Sequence, residues 1–186
     1  MFCKVLYLSF GIINDDFKMV WSKLLLFMSF FLCGLAAHSQ GRLFVFYDTE
    51  CPICQKTTKR LQEMYDKYGQ NVAFTAVFST KSLKKSEVKA FANEYQFTLP
   101  FVIDRKHKLV ERYDARTTPE VVLLNAQGQE VYRGAVDNQF FGLGKYRPKT
   151  TEFYLQNALE ALVSGKTIVP ARTEAVGCLI NRKKSS

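Results

Sequence analysis

Glycine, proline and cysteine are all scarce in this chain of 186 residues, and each scarcity excludes a class of protein. With 10 glycines and 5 prolines, the sequence matches neither a fibrous protein nor a low-complexity one. Five cysteines are too few for a small domain held together by disulfides, so individual cysteines are expected to have individual roles. Apolar residues are plentiful: 47% of the chain is hydrophobic and 14% aromatic, enough for the packed core of one ordinary domain.

Basic residues outnumber acidic ones by 26 to 17, which gives a formal net charge of +9. A surplus of this size can attract nucleic acid or membrane surfaces. Here the lysines and arginines are scattered among acids, and only Arg182-Lys183-Lys184 form a run near the end. The pattern favours a solvated surface with a basic tail at residues 181–186, and no nucleic-acid partner.

The uncharged run Leu24–Ala37 is shorter than the roughly 20 residues that a transmembrane helix needs. It matches the apolar centre of a secretory signal, with Lys23 in front and the small residues Ala37 and Ser39 behind. Residues 1–39 are therefore predicted to be a signal peptide. The mature domain is predicted to be exported to the periplasm, where disulfides persist.

The stretch ahead of Met19 is unusual for a signal because Asp15 and Asp16 interrupt it. A translation start at Met19 would give a compact signal, and residues 1–18 would then be an upstream extension of the gene. An uncleaved membrane anchor is the alternative interpretation of the same apolar run.

Beyond residue 40 the hydrophobic pattern alternates between strand and helix periods. It predicts a strand at Leu43–Tyr47, a helix ending at Gly69, a strand at Val72–Phe78, a helix around Val88–Tyr95, a strand at Phe101–Ile103 and a short helix or turn at 105–113. It continues with a hairpin of Glu120–Leu124 and Glu130–Arg133, a loop over Asp137–Thr150, a helix containing Leu155, Ala158, Leu159 and Leu162, and an extended tail from Ile168. In the loop, Phe140, Phe141 and Tyr146 are expected to pack into the core or to anchor the loop, and a substrate-facing lip is the alternative. Residues 40–180 are predicted to form one compact α/β domain with a C-terminal tail.

The strongest functional signal is Cys51-Pro52-Ile53-Cys54, just after a strand and at the start of a helix. At a helix N-terminus the unpaired backbone N–H groups and the helix dipole favour an anion, so Cys51 is expected to ionise near neutral pH. The spacing of two residues lets Cys54 attack a mixed disulfide formed at Cys51. Pro52 suits the first helical turn, where its missing N–H has no partner.

Three other uses of a C-x-x-C pair fit the chain less well. Gln55 follows the motif in place of histidine, which excludes the usual covalent haem site. A zinc site would need two more ligands, and after signal cleavage Cys178 and His107 are the candidates. A purely structural disulfide would close almost no loop and would therefore stabilise little.

These features resemble the thioredoxin-like superfamily: a strand, Asp48 and then the two cysteines, a helix, and later Thr118-Pro119 directly before a strand. The resemblance implies a three-layer α/β sandwich with a central mixed sheet and flanking helices. It also implies a cis peptide bond before Pro119, which with Thr118 would hold the backbone of a bound substrate. Cys51 would be the attacking thiolate and Cys54 the resolving thiol of an oxidoreductase that needs no cofactor and no metal.

More narrowly, residues 42–180 resemble exported bacterial redoxin-domain proteins related to membrane-tethered thiol–disulfide reductases and to peroxiredoxins. The shared features are the Cys-Pro-Ile start of the helix, the segment Leu143–Pro148 and the ending Thr173–Ile180. The resemblance implies that Cys178 is a second redox partner of Cys51. It also implies protein or small-molecule thiols and disulfides as partners, with a membrane or soluble thiol as electron donor.

Cys178 is expected to lie near the other two thiols. Its apolar neighbours could dock the tail onto the domain, and Gly177 gives the backbone freedom directly before the thiol. A docked tail would bring Cys178 within disulfide reach of Cys51, as a resolving arm or as a cap that leaves when substrate arrives. The alternative is a buried free cysteine that packs as a small hydrophobe.

One residue of the thioredoxin pattern is missing. Thioredoxin carries a buried aspartate six residues before its first cysteine, and Val45 occupies that position here. The usual proton acceptor is therefore absent, and Asp48 and Glu120 are the nearest replacements in sequence.

Two alternative functions stay open. A thiol peroxidase is one, although Thr49 lies two residues before Cys51 instead of the three that a peroxiredoxin site requires. A copper- or metal-binding module is the other, with Cys51 and Cys54 as ligands. Copper-delivery relatives pair C-x-x-x-C with a distant histidine, whereas this chain has one residue fewer between its cysteines and His107 as its histidine after cleavage.

Overall fold

The structure, a computed structural model, describes residues 40–182. The predicted signal peptide and residues 183–186 of the basic tail lie outside the described residues and stay predictions. In chain order the elements are β1 (Gly41–Tyr47), α1 (Pro52–Tyr68), β2 (Val72–Phe78), α2 (Lys85–Tyr95), β3 (Phe101–Ile103), α3 (Lys108–Arg112), β4 (Thr117–Thr118), β5 (Glu120–Asn125), β6 (Glu130–Gly134), β7 (Phe140–Gly142), β8 (Lys145–Tyr146), α4 (Tyr154–Val163) and β9 (Cys178–Leu179). No helix in this part of the chain is both long and apolar enough to cross a membrane.

A five-stranded mixed sheet, in the order β3-β2-β1-β5-β6, forms the centre of the domain. β1, β2 and β3 run parallel because a helix carries the chain back between successive strands. β5 is antiparallel to β1 and turns back into β6 as the predicted hairpin. The predicted mixed sheet is confirmed. Its middle strand, β1, leads directly into the cysteine motif.

Side chains of the sheet alternate between its two faces, and helices cover both faces. One face carries Leu43, Val45 and Tyr47 of β1 and packs against α1, α2 and α4. The opposite face carries Phe46 and packs against α3 through Val110. This layering of helix, sheet and helix confirms the predicted three-layer sandwich.

Helix α1 begins and ends where the sequence predicts. Cys51 keeps an extended backbone (φ −75°, ψ 116°), and Pro52 occupies the first helical position, where no N–H is needed. The helix ends at Tyr68, and the Gly69 N–H donates to the Tyr65 carbonyl at 2.7 Å. A Cβ at Gly69 would lie 2.6 Å from that oxygen, so the close approach requires glycine.

The segment Asp137–Thr150 is more ordered than the loop predicted for it, because β7 and β8 pair as a short antiparallel hairpin. Gly144, at φ +71°, makes the turn between them. The expected inward packing is right for Phe140, which contacts the core. Phe141 and Tyr146 do not pack into the core, since they are 55% and 63% exposed, but the Tyr146 ring lies 6.4 Å from the Phe140 ring, as a loop anchor would. Strands of two and three residues are too short to show an alternating pattern in the sequence.

The tail is extended, as predicted, but it is also docked at two places. The first place is Arg172, which forms a parallel bridge with Arg133 of β6. Further on, β9 pairs antiparallel with β4, which places Cys178 opposite Thr118. The tail therefore passes beside Thr117 and Thr118, which lie just before β5.

The packing of α1 gives a stability test of the fold. Leu61 is fully buried on the core side of α1, whereas Glu63 on the same helix is exposed. We expect Leu61→Ala to lower the free energy of unfolding by about 2–5 kcal/mol, because the substitution leaves a cavity in a close-packed core. Glu63→Ala is the matched control and should change it by less than about 0.5 kcal/mol. Denaturant titration of both variants measures the difference, and equal midpoints would contradict this packing.

Candidate active site

The two cysteines of the motif lie at the junction of β1 and α1. Cys51 is the N-cap residue of α1, and Cys54 lies in its first turn. Both are buried, with exposed fractions of 2% for Cys51 and 0% for Cys54. Both are free thiols, as is Cys178.

A buried polar cluster beneath the motif fixes the first turn of α1. The Tyr47 hydroxyl donates to the Cys54 carbonyl at 2.5 Å and lies 2.6 Å from the Thr58 hydroxyl. The hydroxyls of Thr57 and Thr58 donate to the same carbonyl at 2.9 and 3.0 Å. Sequence reasoning missed these residues. The available signal was a tyrosine that ends an apolar strand directly before the motif, with two threonines one helical turn after its second cysteine.

The Thr118-Pro119 segment lies against Cys51 from the opposite side. Its peptide bond is cis. The sulfur of Cys51 lies 3.2 Å from the Thr118 carbonyl oxygen, to which the Cys51 thiol donates while it is protonated. The residues that the sequence selected as a substrate-holding segment therefore adjoin the sulfur that the sequence selected as the nucleophile.

Glu120 follows this segment and holds it in place. Its buried carboxylate accepts hydrogen bonds from the backbone N–H groups of Arg116 at 2.8 Å and Thr117 at 3.3 Å. The same carboxylate pairs with Arg133 of β6 at 3.1 Å. These three partners engage Glu120, so the structure gives it a role in shaping the loop and not the predicted role of proton acceptor.

The tail brings Cys178 next to the sulfur of Cys51. Cys178 is paired with Thr118 in the β4–β9 ladder, and the Thr118 hydroxyl donates to the Cys178 carbonyl at 3.3 Å. The thiols of Cys54 and Cys178 both hydrogen-bond to the sulfur of Cys51. Gly177 permits this approach by its small size, because a Cβ there would lie 1.9 Å from the Thr118 carbonyl oxygen. Glycine is required at this position because no side chain would fit, and not because of the backbone freedom expected from the sequence.

Hydrogen bonds to the sulfur of Cys51 stabilise its thiolate. The hydrogen bond from the Cys54 thiol is the largest cause, and the Cys178 thiol and the backbone N–H groups of Cys54 and Cys178 add to it. Burial opposes ionisation but is outweighed, and the pKa of Cys51 falls to about 5. At neutral pH the site therefore carries one thiolate, located on Cys51.

The other two thiols keep their protons. Burial, followed by the hydrogen bond to Cys51, raises the pKa of Cys54 well above its usual value. Burial, the hydrogen bond to Cys51 and the negative charges of Cys51 and Asp48 raise the pKa of Cys178 to about 12. The three cysteines thus divide into one acceptor of hydrogen bonds and two donors.

Asp48 is the carboxylate that faces this cluster. It accepts hydrogen bonds from the Thr80 hydroxyl at 2.8 Å and the Glu50 N–H at 2.9 Å. Its charge acts on Cys178, and its backbone N–H donates to the sulfur of Cys54. Of the two carboxylates that the sequence offered as proton acceptors, Asp48 is the one placed beside the thiols.

His107 is not joined to the cysteines as a ligand set. It is buried, and its Nε2 lies 2.8 Å from the Ser79 carbonyl oxygen. Within residues 40–182, no group of three or more His, Cys, Asp and Glu side chains is arranged to hold a metal ion.

The lowered pKa of Cys51 predicts a specific titration. The thiolate absorbance of the reduced protein in the ultraviolet should rise with a midpoint near pH 5, because Cys51 ionises at about 5 while Cys54 and Cys178 stay protonated. Cys51→Ser should remove this step. A wild-type midpoint near the ordinary cysteine value of about 8.5 would contradict the assignment.

The same shift predicts how stability depends on pH. A pKa lowered in the folded state contributes stability that is fully present above the unfolded value of about 8.5 and is lost as the pH falls through about 5. The raised pKa values of Cys54 and Cys178 act in the opposite direction and cost stability only as the pH rises above about 8.5. The unfolding free energy of the reduced wild type, minus that of Cys51→Ser, should therefore increase between pH 5 and 8.5. A flat difference curve would show that the Cys51 thiolate is not stabilised by the fold.

Comparison with known proteins agrees with the fold. The family model described as a thioredoxin-like domain matches residues 35–145. A thiol-disulfide oxidoreductase named ResA from Halalkalibacterium halodurans is 27% identical over 103 residues, which are 54% of this chain and 57% of that protein. The chain thus spans little more than half the length of this curated relative.

Two solved structures share the fold. A hypothetical protein from Sinorhizobium meliloti 1021 superimposes with a TM-score of 0.70 at 24% identity, over 80% of this chain and 83% of its own. A thioredoxin-like protein solved in its oxidised form superimposes with a TM-score of 0.54 at 18% identity, over 69% of this chain and 80% of its own. With the family match covering more than half of the sequence, these findings show that the chain belongs to the thioredoxin-like domain family.

Proposed function

We propose that this protein is a thiol–disulfide oxidoreductase in which Cys51 is the nucleophile and Cys54 the resolving thiol. The observation that carries the proposal is the difference in protonation between the two cysteines. A thiolate on Cys51 at a helix N-terminus accepts a hydrogen bond from a Cys54 thiol that keeps its proton. Attack on a disulfide requires a thiolate, and the pair provides one at neutral pH without a metal or a separate base.

The reaction proceeds through two exchanges. The Cys51 thiolate attacks one sulfur of a substrate disulfide, a mixed disulfide forms, and the other substrate sulfur leaves as a thiolate. Cys54 then attacks Cys51, the internal disulfide forms, and the second substrate thiolate leaves. Once the sulfur of Cys51 is bonded, its negative charge no longer raises the pKa of Cys54, so Cys54 ionises more easily at the moment when it must attack. Asp48, the carboxylate that lies beside the thiols, would accept the released proton.

The surroundings of the pair favour a polypeptide substrate. A small cavity beside the motif is lined mostly by apolar side chains, among them Ile53, Pro119 and Phe140, and also by Thr57 and Asp137. The β7–β8 hairpin that supplies Phe140 also presents Phe141, 55% exposed, and Leu143, 65% exposed, to solvent. Once β9 has left Thr118, Thr118 and Pro119 would hold the substrate backbone next to Cys51, and the apolar hairpin would contact its side chains.

The proposal extends to the location and partners of the protein. The leader pattern of residues 1–39 supports export to the periplasm, an oxidising compartment in which thiol–disulfide exchange has substrates. The partners would be protein or small-molecule thiols and disulfides, with a membrane or soluble thiol as electron donor. The relative from Halalkalibacterium halodurans is named a thiol-disulfide oxidoreductase, which supports the same reaction class.

Loss of the nucleophile should abolish exchange. With dithiothreitol as donor and insulin as the disulfide substrate, we expect Cys51→Ser to lower the rate by more than about a hundredfold. A variant with both Cys54→Ser and Cys178→Ala should still make the first attack and accumulate a mixed disulfide on Cys51, visible by mass spectrometry. Glu63→Ala, on the exposed side of the same helix, is the control and should keep the wild-type rate. Wild-type exchange in Cys51→Ser, or stoichiometric Cu(I) binding by a reduced protein that shows no exchange, would overturn the proposal.

Export is tested by fractionation of a bacterium that has a periplasm and expresses the full chain. We expect the soluble periplasmic fraction to contain a protein whose N-terminal residue is Gln40, because cleavage after residue 39 removes the leader. A variant that lacks residues 24–37 should stay in the cytoplasm. A full-length product in the membrane fraction would instead establish the uncleaved anchor.

A further inference from the structure

The three thiols differ sharply in their access to solvent. Cys51 and Cys54 are 2% and 0% exposed, whereas Cys178 is only partly buried. The strand β9 pairs with β4 at Thr118, and Cys178 hydrogen-bonds to the sulfur of Cys51. A thiol in solution that approaches this site with the tail in place therefore meets the sulfur of Cys178 first.

The tail that carries Cys178 is held firmly before it reaches the site. The Arg133 N–H donates to the Ala171 carbonyl at 3.0 Å, and the Thr173 N–H donates to the Arg133 carbonyl at 2.9 Å. The Thr173 hydroxyl lies 2.7 Å from the buried Tyr132 hydroxyl. Gly134, at φ +138°, leaves room for Thr173, whose carbonyl oxygen would be 2.3 Å from a Cβ at that position.

The tail is held again immediately after the thiol. The Ile180 N–H donates to the Arg116 carbonyl at 2.9 Å, and the Ile180 side chain packs against the core on the α3 face. Arg182 pairs with Asp114 at 2.8 Å. Because attachments flank it on both sides, Cys178 is positioned on the Cys51 sulfur by the fold and is not carried there by a free end.

We propose that Cys178 is a third redox cysteine, which relays electrons between the buried Cys51–Cys54 pair and thiols in solution. This inference rests on the proposed function, since it needs a Cys51–Cys54 pair that exchanges. It assigns to the tail a catalytic thiol that contacts the reacting sulfur, with a small or protein thiol as the external partner.

Reduction of the oxidised protein by this route takes three balanced exchanges. First, the Cys178 thiolate attacks Cys51, a Cys51–Cys178 disulfide forms, the Cys51–Cys54 bond breaks, and Cys54 leaves as a thiolate that takes up the proton given up by Cys178. Second, an external thiolate attacks Cys178 and forms a mixed disulfide there, while Cys51 leaves as a thiolate. Third, another external thiolate attacks the external sulfur of that mixed disulfide, an external disulfide departs, and Cys178 leaves as a thiolate that is then protonated. Two external thiols are oxidised and one protein disulfide is reduced.

The second exchange has a built-in direction. Of the two sulfurs in a Cys51–Cys178 disulfide, Cys178 is the one open to solvent. Attack there expels Cys51, whose thiolate is the best stabilised of the three and is therefore the best leaving group. The first exchange is also eased in the oxidised state, since a disulfide-bonded Cys51 has no charge to hold the proton on Cys178.

Reduced glutathione is a suitable probe of the relay. The fully oxidised protein is mixed with glutathione, quenched with acid and mapped by non-reducing mass spectrometry. We expect the glutathione adduct on Cys178 with Cys51 free. An adduct on Cys51 with Cys178 free would overturn the inference.

Kinetics of matched tail variants give a second measurement. Cys178→Ala keeps the backbone pairing of β9 but removes the relay sulfur, and it should slow reduction by glutathione by about tenfold or more. Leu179→Ala is the control, because that side chain is 85% exposed and its loss leaves both the docking and the thiol in place. A Cys178→Ala rate equal to or above the control rate would show that the tail is at most a cap.

Gly177→Ala tests the same inference through geometry. The added Cβ would collide with the Thr118 carbonyl oxygen and displace the tail from Cys51. In this variant the glutathione adduct should move from Cys178 to Cys51; an adduct that stays on Cys178 would contradict the need for docking.

Failure of the inference is distinguishable from failure of the proposed function. Full activity in Cys178→Ala together with no activity in Cys51→Ser would contradict only the relay. Activity in Cys51→Ser would contradict the proposed function itself.

Discussion

The backbone of Thr118 is the constraint on which the arrangement of the three thiols depends. Its carbonyl oxygen lies 3.2 Å from the sulfur of Cys51, and Thr118 is the partner of Cys178 in the β4–β9 ladder. Glu120 fixes the preceding backbone through two N–H groups and is itself fixed by Arg133. A shift of this short segment would separate Cys51 from Cys178 and would change the hydrogen bonds that stabilise the thiolate, so the electrostatics of the site follow from the position of one loop.

The distribution of protons over the cysteines follows from the same geometry. Three adjacent thiols cannot all ionise, because each thiolate would raise the pKa of its neighbours. The fold gives the charge to the sulfur that receives the most hydrogen bonds, and burial keeps Cys54 and Cys178 neutral. The result is a single negative charge at the helix N-terminus, the position where backbone N–H groups favour it most.

Sequence patterns predicted the parts of this protein that short segments determine by themselves. The apolar runs at β1, β2 and β3 and the helical spacing of α1 reflect burial, which each segment shows in its own composition. The position of the motif at the junction of β1 and α1 followed from these elements. Two kinds of feature were missed: the β7–β8 hairpin, whose strands are too short to carry a pattern, and the pairing of Glu120 with Arg133, which joins residues on different strands. Cys178 was predicted near Cys51 from the apolar residues beside it, with support from a family resemblance, whereas the lack of space that requires Gly177 became visible only with the Thr118 carbonyl in place.

The tail also has a consequence for self-association. β6 is an outer strand of the five-stranded sheet, and such strands expose unpaired N–H and C=O groups that can pair with another chain. Both backbone groups of Arg133 are occupied by the tail, through Ala171 and Thr173. The segment that brings a thiol to the site therefore also shields an edge of the sheet, and a chain truncated ahead of Ala171 would be exposed to edge-to-edge aggregation.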